Sequence, residues 1–401
     1  MRKLEVLSPA GDMDRLITAV RYGADAVYLA GTSFGMRAAA GNFSEEELRQ
    51  ATAFAHSNGV KVYVTCNTVP TETEIPQLPA FIELLEDVRA DGVIVTDIGV
   101  MAMCRRYAPD VDIHVSTQAG VMNSATANAF YDLGAKRAVL AREMSLADIA
   151  KLRFEIPSDM EIEAFFHGAM CVSFSGRCLL SNYLTGRDAN RGECAQPCRW
   201  KYYLVEEKRP GEYMQISEDN GTFIFNSRDM CMIDHVREMY DAGISSIKIE
   251  GRTKSSYYVA SVTAAYRHAV DAAVSGRELE QIWKDEVYKV SHREYSTGFY
   301  FGQPGQYTRD SEYHSTFDVA AVVDSCDSEG NAVLHQRNRF FPGEEVELLM
   351  PDAEPVVFPA PEMTDSEGMP VEAARHADME LHMKLPVAAP EGSFLRKRRE
   401  Q

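Results

Sequence analysis

The chain of 401 residues is 45% hydrophobic and 25% charged, the balance of an ordinary globular protein, and its length suits two or three domains. Its 41 Lys and Arg against 60 Asp and Glu leave a formal charge of −19, which argues against a general nucleic-acid coat or a binder of anionic membrane. No secretory signal precedes the first apolar run, and no apolar stretch approaches the roughly 18 residues of a membrane span. The chain therefore reads as cytoplasmic, with its eight cysteines unpaired.

Taken in order, short β-branched runs at 4–7, 26–29, 60–65, 92–96, 112–116, 137–140 and 161–166 alternate with amphipathic helical segments. The joints resemble one another, and Gly23, Gly134 and Gly243 suit helix C-caps just before the next strand. An eighth run at 246–250 follows an insertion and leads into a helix-like segment, 255–274. Eight such units predict an α/β fold of the (β/α)8 TIM-like barrel type. An open doubly wound sheet fits less well, because no G-x-G-x-x-G follows the first strand.

The division expected is 1–170 for barrel strands one to seven, 171–243 for a cysteine-rich insertion, 244–299 for the last strand and its helices, and 300–401 for a small β-barrel domain. Residues just after each strand share one rim, where barrel enzymes keep their chemistry. They are 8–12, Gly31, Asn67, Asp97, Gln118, Arg142 with Glu143, His167, and Glu250 with Arg252. Each alone reads equally well as a loop cap or a rim salt bridge. Hairpin strands are expected at 201–206, 213–216 and 222–225, and a helix at 226–240. In the last hundred residues, strands are expected at 319–323, 332–335, 344–349, 355–358 and 380–384. The loop 335–341 pairs cations with aromatics, and Arg396-Lys397-Arg398-Arg399 reads as a solvated tail.

The cysteines carry the chemistry. Cys171-x6-Cys178-x15-Cys194-x3-Cys198 puts four thiols within 28 residues of loop-like sequence, and Cys231 follows 33 residues later. Buried structural cysteines sit singly in apolar segments, so this grouping points to a metal site. Structural zinc favours two short C-x2-4-C knuckles and only Cys194/Cys198 forms one, whereas an iron–sulfur cluster tolerates irregular spacing. Spacing alone leaves cluster and zinc both open, with the cluster ahead. For the fourth ligand Cys198 is favoured, with Cys231 buried nearby. A His167/Cys171 nucleophile pair is the weaker use of those residues. There is no H-E-x-x-H, Walker loop or G-x-S-x-G elbow.

The segments Glu163-Ala164-Phe165-Phe166-His167-Gly168-Ala169-Met170-Cys171 and Ser175-Gly176-Arg177-Cys178 resemble the signature of the collagenase-like peptidases, peptidase family U thirty-two. The opening Leu7-Ser8-Pro9-Ala10-Gly11-Asp12, the joint Gly23-Ala24-Asp25-Ala26-Val27-Tyr28 and Lys248-Ile249-Glu250-Gly251-Arg252 match as well. Despite the family's name, the resemblance implies iron–sulfur proteins that hydroxylate without molecular oxygen. Branches act on the wobble uridine of tRNA, with prephenate as hydroxyl source, on a cytidine of ribosomal RNA, or on the ubiquinone ring.

Length near 400 and a C-terminal β-domain resemble the tRNA branch. The resemblance implies a [4Fe–4S] cluster on Cys171, Cys178 and Cys194, with Cys198 as the favoured fourth ligand. On this reading Arg142 and Arg252 hold a small carboxylate, and His167 or Glu250 moves protons. Arg187, Arg191, Arg199, Lys201 and Lys254 are candidate phosphate contacts for an anticodon stem-loop. A paralogous partner subunit is left open. The alternatives are a peptidase, hydroxylation of ribosomal RNA, and a zinc-stabilised assembly partner.

Overall fold

The structure is a computed structural model that describes residues 3–35, 41–171, 173–200, 204–205, 213–214, 227–305 and 313–399. Strands and helices alternate through β1 (Glu5–Pro9), α1 (Met13–Arg21), β2 (Ala26–Leu29), α2 (Glu45–Ser57), β3 (Lys61–Cys66), α3 (Leu78–Asp87) and β4 (Gly92–Val95). They continue through α4 (Ile98–Tyr107), β5 (Asp112–Val115), α5 (Ser124–Asp132), β6 (Ala135–Val139), α6 (Leu146–Glu155) and β7 (Glu161–Gly168). Local signals place the boundaries. Asp12, Ser44, Asp97, Asn123 and Ser145 each accept the backbone N–H three residues on, starting their helices. Gly23, Gly134 and Gly243 end theirs at φ between +92° and +100°, a conformation that side-chain-bearing residues rarely adopt.

The insertion holds α7 (Leu180–Thr185) and the antiparallel pair β8 (Leu204–Val205) and β9 (Tyr213–Met214). Then come β10 (Asp229–Cys231), α8 (Val236–Asp241), β11 (Ser246–Ile249), α9 (Ser256–Ser275), α10 (Gln281–Glu286) and β12 (Tyr295–Ser296). Strands β1 to β7 pair in sequence order, all parallel, and β11 pairs in parallel with both β7 and β1. That closes an eight-stranded barrel, as the repeat predicts. The main apolar core lies between the strands and the surrounding helices.

The helix expected over 226–240 is only partly present, because Asp229–Cys231 is a strand. The pairing of β6 with β7 stops at Glu163, and β10 takes an edge of β7 further on, antiparallel, with Cys231 opposite His167. Of the expected hairpin strands, only parts of the first two fall on described residues, and 222–225 lies outside them.

The C-terminal region forms one antiparallel sheet with its own core. Its strands are β13 (Phe317–Cys326), β14 (Asn331–Gln336), β15 (Glu345–Met350), β16 (Ala353–Pro359), β17 (Met363–Thr364), β18 (Pro370–Val371), β19 (Glu380–Lys384) and β20 (Phe394–Arg398). The basic tail expected at 396–399 is largely strand β20, seated between β13 and β15. Alternation along β20 turns Arg396 inward, where it is fully buried against Glu286 of α10 (2.5 and 2.7 Å) and Glu347 of β15. Burial by itself disfavours that charge, and the two carboxylates reverse the balance. The ion network ties the β-domain to the barrel.

Candidate active site at the barrel mouth

Inward-facing residues of the barrel strands form two layers of opposite character. In the lower layer Arg137 is 2% exposed and donates to Glu5 (2.7 Å), Glu161 (2.7 Å) and Glu163 (3.0 Å). Tyr63 and Ser246 donate to the Glu5 carboxylate as well. Burial raises the Glu5 carboxyl, but Arg137 outweighs it and holds the group below the usual carboxylate range. His114 is buried in the same interior; burial, then Arg137, keeps its ring neutral. Gly92 makes room for it, since a Cβ there would lie 2.9 Å from the imidazole.

Above this layer, at the C-terminal ends of the strands, is a cavity of about 90 Å³, roughly the liquid volume of three waters. Arg142, Lys248 and Arg252 line it together with Glu250, Asn67 and Gln118. The Arg142 guanidinium lies 3.8 Å from the centroid of the Phe165 ring and donates to Ala169 O at 2.9 Å. Its ion pair with Glu250 is a loose 3.6 Å, and its buried Nε has no hydrogen-bond partner. Lys248 donates to Glu163 at 2.7 Å and lies 4.4 Å from the Tyr28 ring centroid. Arg252 is 3% exposed and donates to Asn42. Three cations around one small void, only Glu250 among the lining residues being an anion, suit a carboxylate or phosphate oxygen.

Sequence reasoning placed Arg142, Glu250 and Arg252 on this rim, and all three line the cavity. It passed over Lys248, whose signal was a lone cation in the strand Ser-Ile-Lys-Ile, where alternation points it inward. His167 does not line the cavity. A register shift between β11 and β7 pairs Lys248 with Phe165 but Ile249 with His167, so the strand bulges at Phe166. His167 instead packs in an aromatic pocket, within hydrogen-bonding distance of Tyr266 (3.4 Å) and Tyr295 (3.3 Å). Burial, then the nearby His292 and Lys254, lowers its pKa to about 3. Of the other rim residues, Asp97 caps α4 and Glu143 accepts from Ser175.

The cysteine-bearing insertion leans on this mouth. Ser175 donates its backbone N–H to Glu143 at 2.8 Å, and its hydroxyl lies 3.5 Å from the Arg142 N–H. Gly176, at φ +73°, packs so closely that a Cβ would come within 2.7 Å of Gln118 O. Among the described residues no three His, Cys, Asp or Glu side chains converge as a metal site. The donor chemistry nevertheless suits a thiolate-held group. Cys171 and Cys194 are exposed and Cys178 and Cys198 half-buried, and the Gln196 N–H is aimed at Cys194 Sγ at 3.4 Å. Cys231 differs. It is buried beside Tyr266, and burial pushes its thiol up to about 12, the character of an inert structural cysteine.

The proposed phosphate contacts divide. Arg191 pairs with Glu74 and donates to Val69 O, pinning the insertion to the loop after β3. Lys254 donates to Ser291 O and sits over the Tyr313 ring at 4.1 Å. Arg187 is exposed, while Lys201 and the side chain of Arg199 lie outside the described residues.

Residues 11–310 match the model of Peptidase family U32, and residues 315–396 match that family's C-terminal domain. The chain belongs to this family. It is 37% identical over 403 residues to tRNA hydroxylation protein P1 of Bacillus subtilis, covering 99% of this chain and 95% of that one. It is 34% identical to tRNA hydroxylation protein P of Escherichia coli, covering 92% of both. A protein named collagenase from Porphyromonas gingivalis is 33% identical over 75% of this chain and 74% of its own. The solved U32 peptidase Mk0906 overlaps 63% of this chain and 94% of its own at 17% identity and a TM-score of 0.40. No described helix is long and apolar enough to cross a membrane.

Proposed function

We propose that this protein is an RNA-modifying hydroxylase, and that its substrate is the wobble uridine of tRNA, converted to 5-hydroxyuridine. The observation that carries the reading is the junction of a cation-lined cavity with a cysteine-rich loop, Ser175 and Gly176 seated against Glu143 and Gln118. The near-full-length similarity to two tRNA hydroxylation proteins supplies the substrate class.

Replacing C5–H by C5–OH takes two electrons from the base, so the reaction needs a two-electron acceptor as well as a source of the hydroxyl oxygen. A small carboxylate such as prephenate fits the cavity's chemistry, with Arg142, Lys248 and Arg252 binding and orienting its carboxylate oxygens. Glu250, in the same cavity, is the group placed to hold or move a proton. His167, off the cavity and kept neutral by burial, supports the wall that carries Phe165. Cys171, Cys178, Cys194 and Cys198 would hold a [4Fe–4S] cluster, which supplies one-electron chemistry when bound.

The test is nucleoside mass spectrometry on separately purified tRNA and ribosomal RNA from a strain lacking this gene and its close paralogues. Loss of 5-hydroxyuridine derivatives from tRNA alone is expected; unchanged profiles in both pools would overturn the reading. The collagenase relative supports peptidase activity as a second reading. Gelatin digestion that survives replacement of the four insertion cysteines would favour it.

A further inference from the structure

We propose that the exposed face of the insertion, formed by Phe174, Arg177, Tyr183, Arg187 and Trp200, is the surface on which RNA lies while its target base enters the barrel mouth. This rests on the RNA-hydroxylase reading above. A base paired or stacked within a stem-loop cannot reach a cavity inside a barrel, so it must leave the stack, and the protein must receive it and hold its backbone. Aromatic side chains take up the stacking, and cations hold the phosphates.

Both kinds of group are present and otherwise idle. Phe174 is 39% exposed, Trp200 43% and Tyr183 82%. These large aromatics stay partly in water although internal hydrogen bonds, Asn190 to Cys178 O and Ala195 to Ser181, already order the loop. The Arg177 and Arg187 side chains are exposed and form no ion pair among the described residues. Charge follows the same division. Residues 171–200 carry four arginines against Asp188 and Glu193, in a chain whose total is −19.

Position links this face to the cavity. Phe174 and Arg177 flank Ser175 and Gly176, the two residues seated on the mouth, and the Phe174 ring lies against Gly120 just past the cavity-lining Gln118. From there the chain runs into α7, which bears Tyr183, and the turn preceding Trp200 packs on α7. The run of side chains therefore starts at the entrance and extends away from it, as a strand leading to an inserted base requires.

Intrinsic fluorescence gives a direct test, because the chain has two tryptophans and the other, Trp283, is buried and stacked on His268. Unmodified tRNA transcript, and its isolated anticodon stem-loop, are titrated into the purified full-length protein at several salt concentrations. Binding is expected to quench the emission, and Trp200→Phe should abolish the signal while an independent filter assay still detects the complex. Phe174→Ala and Tyr183→Ala should each weaken binding by about tenfold, and Phe174→Trp should restore it. Arg177→Ala and Arg187→Ala should each reduce the slope of log affinity against log salt by about 0.7–0.9. All five side chains are exposed, so unchanged melting temperatures are expected and distinguish lost contact from lost fold.

Normal tRNA affinity in every insertion variant would overturn the surface and leave the RNA reading standing. So would binding lost instead in Arg339→Ala or Phe341→Ala, on the exposed loop of the β-domain. If the unaltered protein binds neither RNA probe, the surface and the RNA-hydroxylase reading fall together.

Discussion

The two ends of the barrel interior use the same kind of residue for opposite purposes. At the lower end Arg137 meets three glutamates, with Tyr63 and Ser246 completing the set on Glu5. At the mouth Arg142 has one loose carboxylate at 3.6 Å, a backbone carbonyl at 2.9 Å and a buried Nε with no partner. A buried charge that is fully paired belongs to the fold, because nothing is left for a ligand to gain. A buried charge left partly unmet raises the energy of the empty site, and a ligand that supplies the missing oxygen recovers that energy. The contrast also follows the usual division of labour in such barrels, with structure at the bottom and chemistry at the top.

This contrast can be broken most directly at Arg137. Arg137→Met leaves Glu5 buried without its cation and Glu163 with Lys248 alone, and a loss of about 3–5 kcal/mol in chemical denaturation is expected. At the mouth the reverse pattern should hold. Arg142→Ala should lower prephenate affinity by roughly 10- to 100-fold in calorimetry, the worth of a charged hydrogen bond, with stability falling by less than about 1 kcal/mol. If Arg142→Ala unfolds the protein as readily as Arg137→Met, the two layers are not different in kind.

The neutral histidines sharpen the picture through pH. His114, His167, His268 and His292 all have folded-state pKa values below the ordinary 6.5, with burial the first cause in each. A lowered histidine pKa means the unfolded chain binds the proton first. The stability this contributes is complete above pH 6.5 and is lost as pH falls toward the folded value, about 3 for His167. The carboxylates Glu5 and Glu286 are half-protonated at 4.5 in the unfolded chain and begin to contribute about a unit above that, so the histidines dominate between about 6.5 and 5.5. There His167→Gln should reduce the slope of stability against pH by up to about 1.4 kcal/mol per unit. An unchanged slope would mean that water reaches the ring.

Smaller effects separate the cysteines and the insertion. Serine at Cys171, Cys178, Cys194 or Cys198 should abolish bound iron and acid-labile sulfide, whereas Cys231→Ser should retain both; the opposite result would make Cys231 the fourth ligand. Arg191→Ala removes a partly exposed pair with Glu74 and should cost only about 0.2–1 kcal/mol, read as a small shift in melting temperature.

Much of the molecule was legible before its structure. Short β-branched runs with glycine joints spelled out eight β/α units, because parallel strands buried on both faces need near-continuous apolar sequence. Residues at strand ends could be assigned to one rim, which is why Arg142, Glu250 and Arg252 were found. Lys248 and Arg137 were missed because a cation in a buried strand contradicts pattern, and only the facing carboxylates, distant in sequence, make it tolerable. Arg396 was read as tail for the same reason. Its two glutamates come from α10 and β15, far away along the chain.

By itself, then, the sequence determined the barrel, the β-domain after it and the grouping of four cysteines in a loop at the rim. These follow from local rules: side-chain period, helix capping and spacing along the chain. Tertiary structure alone decided which charges are spent and which remain. It turned His167 away from the cavity through a single bulged residue, put Cys231 in a wall strand, and brought Lys248 beside Arg142 and Arg252. The physical reason is that burial makes a charge depend on partners across the fold, and sequence distance says nothing about who those partners are.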